Sequence, residues 1–530
     1  MSFTPPPAGG IISNTQLGNF VVDGAYVAPS GGPPPVSVGP QTNLCVVVGA
    51  ANWGPKNVLT PFDSNSIFSV FGNLTANVYS LVRGALTMMP EATNFSGIRV
   101  TDGNDTPATL KLNDSTSTAV LTGTAVYTGS YPNNQAYIRA DLQSGTLTNN
   151  PVFTITVGFP GSNPLVYPNI VGYATLGSGY AQATFIANAL AALNGTAPNS
   201  TPNPWFVFSA GTSANAPQTG TPFFASGGTD GASNITSTTL VGTDGQVGRT
   251  GMYAARGGVA MGQIVLVGLS DVSQFQNLAT FCMQESCIGF LSMPSGNTAQ
   301  SAVAAKVGAS ASNDFVVTTC FWDYVQDQIS GQKLLVDPSC KIAGIIAAQP
   351  TYMYVGNKPR GGAVGVISTE RSVLGPISQG EQALLQQNNL LYLTNQMPRG
   401  GGLWGLPFGS ASSGAAINDV RMRNFIAISV LNILGPFVGE MQTAKPSDPT
   451  RAQMKAALTA FLQSLMNPAN SSNAAIADFE VDDTTLGSPT NVPNGYALFT
   501  VNVTTLSGIK FAIAFVNVGG TVQIQTASQQ

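Results

Sequence analysis

Paired carboxylates, clustered glycines and a local excess of basic side chains are the groupings in this chain whose types and spacing could do chemistry. Asp323 with Asp327, and Asp482 with Asp483, are close enough to serve as acid and base, the pairing that hydrolyses glycosidic bonds. Acidic neighbours are more often solvated or capping, so neither pair alone designates a catalytic dyad. Gly361, Gly362 and Gly365 match neither Gly-x4-Gly-Lys-Ser/Thr nor Gly-x-Gly-x-x-Gly between a strand and a helix, and read as loop glycines. The basic excess is Arg421, Arg423, Lys445, Arg451 and Lys455. Its ordinary reading is surface charge.

Composition excludes several other chemistries. The 530 residues contain no His, which removes Ser-His and Cys-His nucleophile pairs, His metal sites and His general bases. Five cysteines, Cys45, Cys282, Cys287, Cys320 and Cys340, are odd in number and irregularly spaced. They suggest buried thiols, neither a disulfide framework nor a four-cysteine zinc site. A sequence pI near 4.9 argues against nucleic-acid binding. No window approaches the ~18 apolar residues of a membrane span. No basic n-region followed by an apolar h-region opens the chain, so no secretory leader is expected. The expected protein is not an enzyme and takes no cofactor. Charged residues are 8% of the chain against ~25% in an ordinary soluble protein, so little like-charge repulsion opposes self-association.

The elements that would carry these residues form a mixed α/β pattern. Cys45–Val48 reads as a buried strand, Ser64–Phe71 and Val78–Met88 as helices and Phe95–Val100 as a strand. The alternation stops at Thr101 and resumes with strands at Gln263–Gly268, Ile288–Ser292 and Asp314–Cys320, separated by helices at Val272–Ser286 and Thr298–Val307. Lys333–Val336 is a short strand, Pro338–Ala348 a helix, and Ser378–Gln387 a helix with a capping box to Glu381. Between the two stretches, Thr, Ser, Asn, Gly and Pro dominate, with alternating runs at Ala136–Leu142 and Val152–Val157 and one helix at Ala181–Leu193. From Asn418 a helix runs to Leu434, apolar nearly all round, and Gly435-Pro436 ends it. A cleaner amphipathic helix has Asp448 as N-cap, Pro449 at N1 and Met454, Ala457, Leu458, Phe461, Leu462 and Leu465 on one face. Strands are expected at Tyr496–Leu506, Ile509–Val518 and Thr521–Thr526.

The expected fold class is therefore an α/β (α+β mixed) multidomain body with an inserted mostly β domain and extended N- and C-terminal arms. The division runs as an arm over 1–43 with one strand at Phe20–Val27, an α/β middle domain over 44–105 and 246–395, an inserted domain over 106–245, a C-terminal α/β domain over 396–519 and an arm strand over 520–530. Clustered prolines at 5–7 and 33–35 keep the first arm extended.

The order of parts resembles the contractile tail sheath proteins of bacteriophages and related injection systems. The resemblance is carried by Val48-Gly49-Ala50, Trp53-Gly54-Pro55, Ala343-Gly344-Ile345, Asn388-Asn389 before a strand, Trp404-Gly405 and Val420-Arg421-Met422-Arg423-Asn424-Phe425-Ile426. It departs where the family often has Arg-Thr after Trp-Gly, since Leu406 and Pro407 follow here. The resemblance implies a virion protein of the phage tail, assembled in the host cytoplasm as a homopolymer of stacked hexameric rings. Its implied partners are further copies of itself, an inner tail tube protein, and baseplate and tail terminator proteins, with no nucleic acid and no membrane insertion. Contraction would drive the tube through the host envelope for genome delivery. Arg421, Arg423, Arg451 and Lys455 would face the tube, and Phe20, Val22, Tyr26, Val522 and Ile524 would add strands to neighbouring subunits. Two rival readings, an α/β hydrolase-like enzyme and a secreted β-rich adhesin, meet the absence of His and the absence of leader and repeats.

Overall fold

The computed structural model describes residues 41–506, except 76, 145–148, 199, 260, 327–330, 359–365, 397–402, 444–447, 467–473, 483–496 and 498. The described parts of Ser37–Thr351 and Val355–Asn432 form one compact unit, and those of Tyr352–Tyr354 and the chain from Ile433 on form another.

The first unit starts with β1 (Leu44–Gly49), β2 (Thr60–Phe62), α1 (Ile67–Phe71), α2 (Leu81–Met88) and β3 (Asn94–Arg99). Next come β4 (Pro107–Asn113), β5 (Ala119–Thr128), β6 (Tyr137–Leu142), β7 (Val152–Gly158), β8 (Leu165–Val171), α3 (Gln182–Leu193), β9 (Phe206–Ala210) and β10 (Phe223–Phe224). After α4 (Ser237–Val241) the α/β alternation returns as β11 (Gln263–Leu266), α5 (Phe275–Glu285), β12 (Ile288–Ser292), α6 (Ala299–Gly308) and β13 (Val316–Thr319). The unit continues through β14 (Asp323–Gln326), β15 (Lys333–Val336), α7 (Pro338–Ala347), β16 (Val366–Thr369), α8 (Glu370–Val373), α9 (Gln379–Gln387), β17 (Leu390–Leu391) and most of α10 (Ile417–Leu434). The second unit holds α11 (Pro449–Met466), β18 (Ile476–Asp482) and β19 (Thr500–Thr505).

Seven strands make one sheet in the order β17-β13-β12-β11-β1-β3-β2. All neighbours in it are parallel except β2 against β3. Val46, Val47 and Val48 of β1 and every residue of β11, β12 and β13 are buried, the near-continuous burial of a parallel sheet covered on both faces. Helix α7 is buried over all ten residues. It lies against α2 at a glycine, because a Cβ on Gly344 would stand 3.0 Å from the Met88 carbonyl oxygen.

Residues 107–225 make two antiparallel sheets, β10-β6-β7-β8 and β4-β5-β9. Their inward residues form a second hydrophobic cluster with Phe185, Ala189 and Leu193 of α3. Trp53, from the loop after β1, belongs to that cluster and meets Tyr127 edge-on at 5.3 Å. A third sheet, β15-β14-β16, is antiparallel with β14 in the middle.

In the second unit, α11 buries Arg451, Met454, Leu458 and Leu462 on one face. The Asp448 carboxylate accepts from the Arg451 N–H at 2.9 Å and from the Thr443 N–H at 2.6 Å, the expected N-cap. Helix α10 begins at Ile417, so Asn418 and Asp419 lie inside it. It is buried at Val420, Arg421 and Met422, but Leu431 is 68% exposed. β18 was not among the expected strands and pairs antiparallel with β19. Of the expected strands, Ile509–Val518 and Thr521–Thr526 lie outside the described residues, as does the first arm over 1–40.

Candidate functional site

One member of each carboxylate pair, Asp327 and Asp483, lies outside the described residues, as do Gly361, Gly362, Gly365 and Lys445. Asp323, in the centre strand β14, is fully buried, and neither carboxylate oxygen has a hydrogen-bond partner among the described residues. Burial pushes its carboxyl well above the usual range; Asp337 and Glu370 add to the rise and Lys341 opposes it.

Asp337 occupies the place where an open α/β sheet would receive a ligand, at the carboxyl ends of parallel strands and the N-terminus of a helix. It is the N-cap of α7. Its carboxylate accepts from the Ser339 N–H at 2.8 Å, from the Gly268 N–H at 2.9 Å just beyond β11, and from the Ser292 hydroxyl at the end of β12. Ser292 also meets Thr319, at the end of β13, at 2.7 Å and Ser339 at 2.6 Å. All four side chains are at most 1% exposed. The chain's own carboxylate thus fills the anion site, and no hydroxyl in it reaches solvent. Nearby, the fully buried Lys341 pairs with Glu91 at 3.3 Å. A groove of about 520 Å³ between β8 and α3 is lined by Tyr167, Asn169, Asn188, Ser200, Thr201 and apolar residues, none of them a carboxylate or a cation. Among the described residues no three His, Cys, Asp or Glu side chains are grouped to hold a metal ion, and no helix is long and apolar enough to cross a membrane.

The basic residues divide by burial. Arg421 is 2% exposed; one guanidinium nitrogen donates to the carbonyls of Ile346 and Gln349 at 2.9 Å, and the other to that of Thr42 at 3.2 Å. Burial lowers its pKa to about 10. Arg451 is 6% exposed. Arg421 and Arg451 are thus buried within the single subunit. Arg423 is exposed, pairs with Asp314 at 3.2 Å and stacks over Phe315, and Lys455 is half-buried. Arg421 and Arg423 share α10, while Arg451 and Lys455 lie one turn apart on α11. Phe20, Val22, Tyr26, Val522 and Ile524 lie outside the described residues.

The motifs singled out in the sequence are joints of the fold. Gly54 has φ +97°, and a Cβ there would stand 2.3 Å from the Val70 carbonyl oxygen. Gly405 bridges Thr394 after β17. Asn388 and Asn389 offer their carbonyls to the buried Lys306 ammonium, which also donates to Ser412 at 2.8 Å. Asn424 donates to Ser286 at the end of α5 at 3.0 Å. Sequence reasoning missed Arg99, the largest such joint. It is fully buried at the end of β3 and donates to the carbonyls of Ala51 (2.9 Å), Gly54 (2.9 Å), Thr128 (2.7 Å) and Asp230 (3.3 Å). It thereby ties the seven-stranded sheet to the 107–225 sheets.

The β18-β19 pair is two-stranded among the described residues, with mostly exposed or half-exposed side chains. α11 packs against β18, and among the described residues no further strand pairs with either edge.

No family model and no curated protein matches the sequence. Solved structures do match the fold. The chain is similar to a sheath tail protein from Desulfitobacterium hafniense, with 14% identity, a TM-score of 0.55, and coverage of 88% of this chain and 97% of that one. It is similar in the same way to a sheath tail protein from Listeria innocua, with 15% identity, a TM-score of 0.56, and coverage of 88% and 96%. The resemblance to tail sheath proteins thus holds in the fold, a mixed α/β arrangement with several sheets.

Proposed function

We propose that this chain is a non-enzymatic structural subunit of a contractile tail sheath, polymerising around an inner tube and contracting to drive it through a host envelope. The observation that supports this most is the fold likeness to two sheath tail proteins, which extends over nearly their whole length. The filled anion site and the charge-poor composition agree with a part made to pack against copies of itself, not to turn over a substrate. In this reading the subunit joins others in stacked hexameric rings, meets baseplate and terminator proteins at the ends, and belongs to a phage virion assembled in the host cytoplasm. The stretch 106–245 is an inserted domain on the outer face, with 44–105 and 246–395 as middle domain and 396–519 toward the tube.

The arms over 1–43 and 520–530 are the links between subunits in this proposal. An edge of β18-β19 is a fitting acceptor, since an added strand supplies main-chain hydrogen bonds in fixed register. Electron microscopy of the purified full-length protein is expected to show long tubes or rings. Removing Gly520–Gln530, or separately Met1–Gly39, should leave a normal melting transition and abolish the tubes. Monomeric full-length protein at all concentrations would refute the sheath reading, and tubes from either truncation would refute the role of that arm.

Contact with the tube is assigned to Arg423 and Lys455, the accessible members of the basic group. Replacing both with Glu should weaken co-assembly with the tube at low salt, while sheath-to-sheath contacts survive. Equal co-sedimentation of tube protein with both sheaths would rule this out.

A further inference from the structure

We propose that Arg421 is the anchor that fixes the root of the N-terminal arm to the α/β body, so that a pull on the arm shears β1 rather than peeling it away. The inference builds on the proposed role of that arm and is tested on the single subunit.

Thr42 is the second described residue of the chain, two positions before β1. Its carbonyl accepts from Arg421 at 3.2 Å and from the Gln263 amide at 3.3 Å, the latter at the start of β11. Arg421 reaches it while holding the Ile346 and Gln349 carbonyls at the C-terminal end of α7, where free carbonyls favour a cation. α7 is itself buried throughout and held at its other end by Asp337. One side chain therefore connects the stretch just before β1 to a helix buried along its whole length.

The mechanical consequence follows from the strand pairing. β1 is parallel to both neighbours, with Leu44–Gly49 opposite Asn94–Arg99 of β3 and Cys45–Val48 opposite Gln263–Leu266 of β11. Force directed along β1 loads both ladders at once. Force that swings Thr42 sideways breaks the bonds one after another, beginning at Leu44. Arg421, immobilised by burial and by its two α7 carbonyls, prevents the sideways swing. A surface cation facing a partner would do none of this. The hydrogen bonds also explain why an arginine stands here, since a lysine ammonium lacks the fork that reaches both α7 and Thr42.

The experiment is single-molecule pulling on the soluble full-length subunit, with one handle at the N-terminus and one at a Gly308→Cys thiol. Gly308 ends α6 with open space around it, and the five native thiols are buried. Arg421→Met is compared with Lys306→Met, which also removes a buried cation from backbone carbonyls but does not touch Thr42. Under the same load, Arg421→Met is expected to raise the rate of the first unfolding event about tenfold more than Lys306→Met, the loss of a charged hydrogen bond. Arg421→Lys should fall between wild type and Arg421→Met, and serves alone if the methionine variant does not fold. Equal acceleration by the two methionine variants, or an Arg421→Lys protein as strong as wild type, would overturn the proposal. Neither result bears on whether the subunit forms sheaths, which microscopy decides.

Discussion

Replacing Arg99 with Met is expected to destabilise the first unit by about 4 to 5 kcal/mol, as large as single substitutions usually reach. The guanidinium is fully buried and serves four backbone carbonyls and the Thr128 hydroxyl. Leaving a buried acceptor without a donor costs about 1 to 3 kcal/mol, and the relief of no longer desolvating a cation returns part of the sum. Burial lowers the Arg99 pKa while Asp105 and Asp230 raise it, so its removal also takes a positive charge from beside those two carboxylates, of which Asp105 keeps its ion pair with Lys56 at 3.2 Å. Denaturant unfolding would measure the loss. The carbonyls belong to the loop after β1, to β5 and to the Asp230 turn, so proteolysis should become faster at residues 101–106 and 226–235. A change under 1 kcal/mol would mean that the two hydrophobic clusters are held together by Trp53 and its aromatic neighbours instead.

Asp323→Asn is expected to stabilise the chain at pH 8 by about 1 to 3 kcal/mol, since above the unfolded value each unit by which the folded carboxyl is raised costs about 1.4 kcal/mol. A carboxyl whose folded pKa lies above its unfolded value of roughly 3.9 holds more protons folded than unfolded. Stability is then complete below the unfolded value and is lost as pH rises through the folded one. Asp323 is such a group, raised by burial and by Asp337 and Glu370 against the opposing Lys341, with the Cys320 and Cys340 thiols also within its field. Asp337 is raised too, by burial, so the variant should flatten the decline and not abolish it. Thermal unfolding of both proteins from pH 5 to pH 9 measures this. Parallel curves would show that Asp323 keeps the same protonation state folded and unfolded.

The fold is legible in the sequence where burial is extreme or caps are explicit. The strands at β11 to β13 are short apolar runs between helices, and α9 and α11 announce themselves by Ser378 with Glu381 and by Asp448 with Pro449. β18 escaped because Ile476 is its one buried residue and acidic residues interrupt its apolar positions Ile476, Ala477, Phe479 and Val481. The burial of Arg421 has a signal in the sequence, since a basic residue inside the first turns of a helix apolar on nearly every side must itself be buried. Arg99 and Lys306 carried no signal of that kind. Their partners are backbone carbonyls from distant loops, and a carbonyl has no residue type to recognise.

The position of β1 between β3 and β11 has a consequence for biosynthesis. β3 emerges soon after β1, but β11 begins roughly 160 residues later. At about 5 to 20 residues per second, a ribosome takes on the order of 10 to 30 seconds to deliver it. Throughout that interval the valine-rich β1 can pair on one side only. The nascent chain thus carries an apolar open edge, a template for aggregation, until the third of its parallel strands arrives, so the yield of native subunit depends on how quickly other chains or chaperones find that edge.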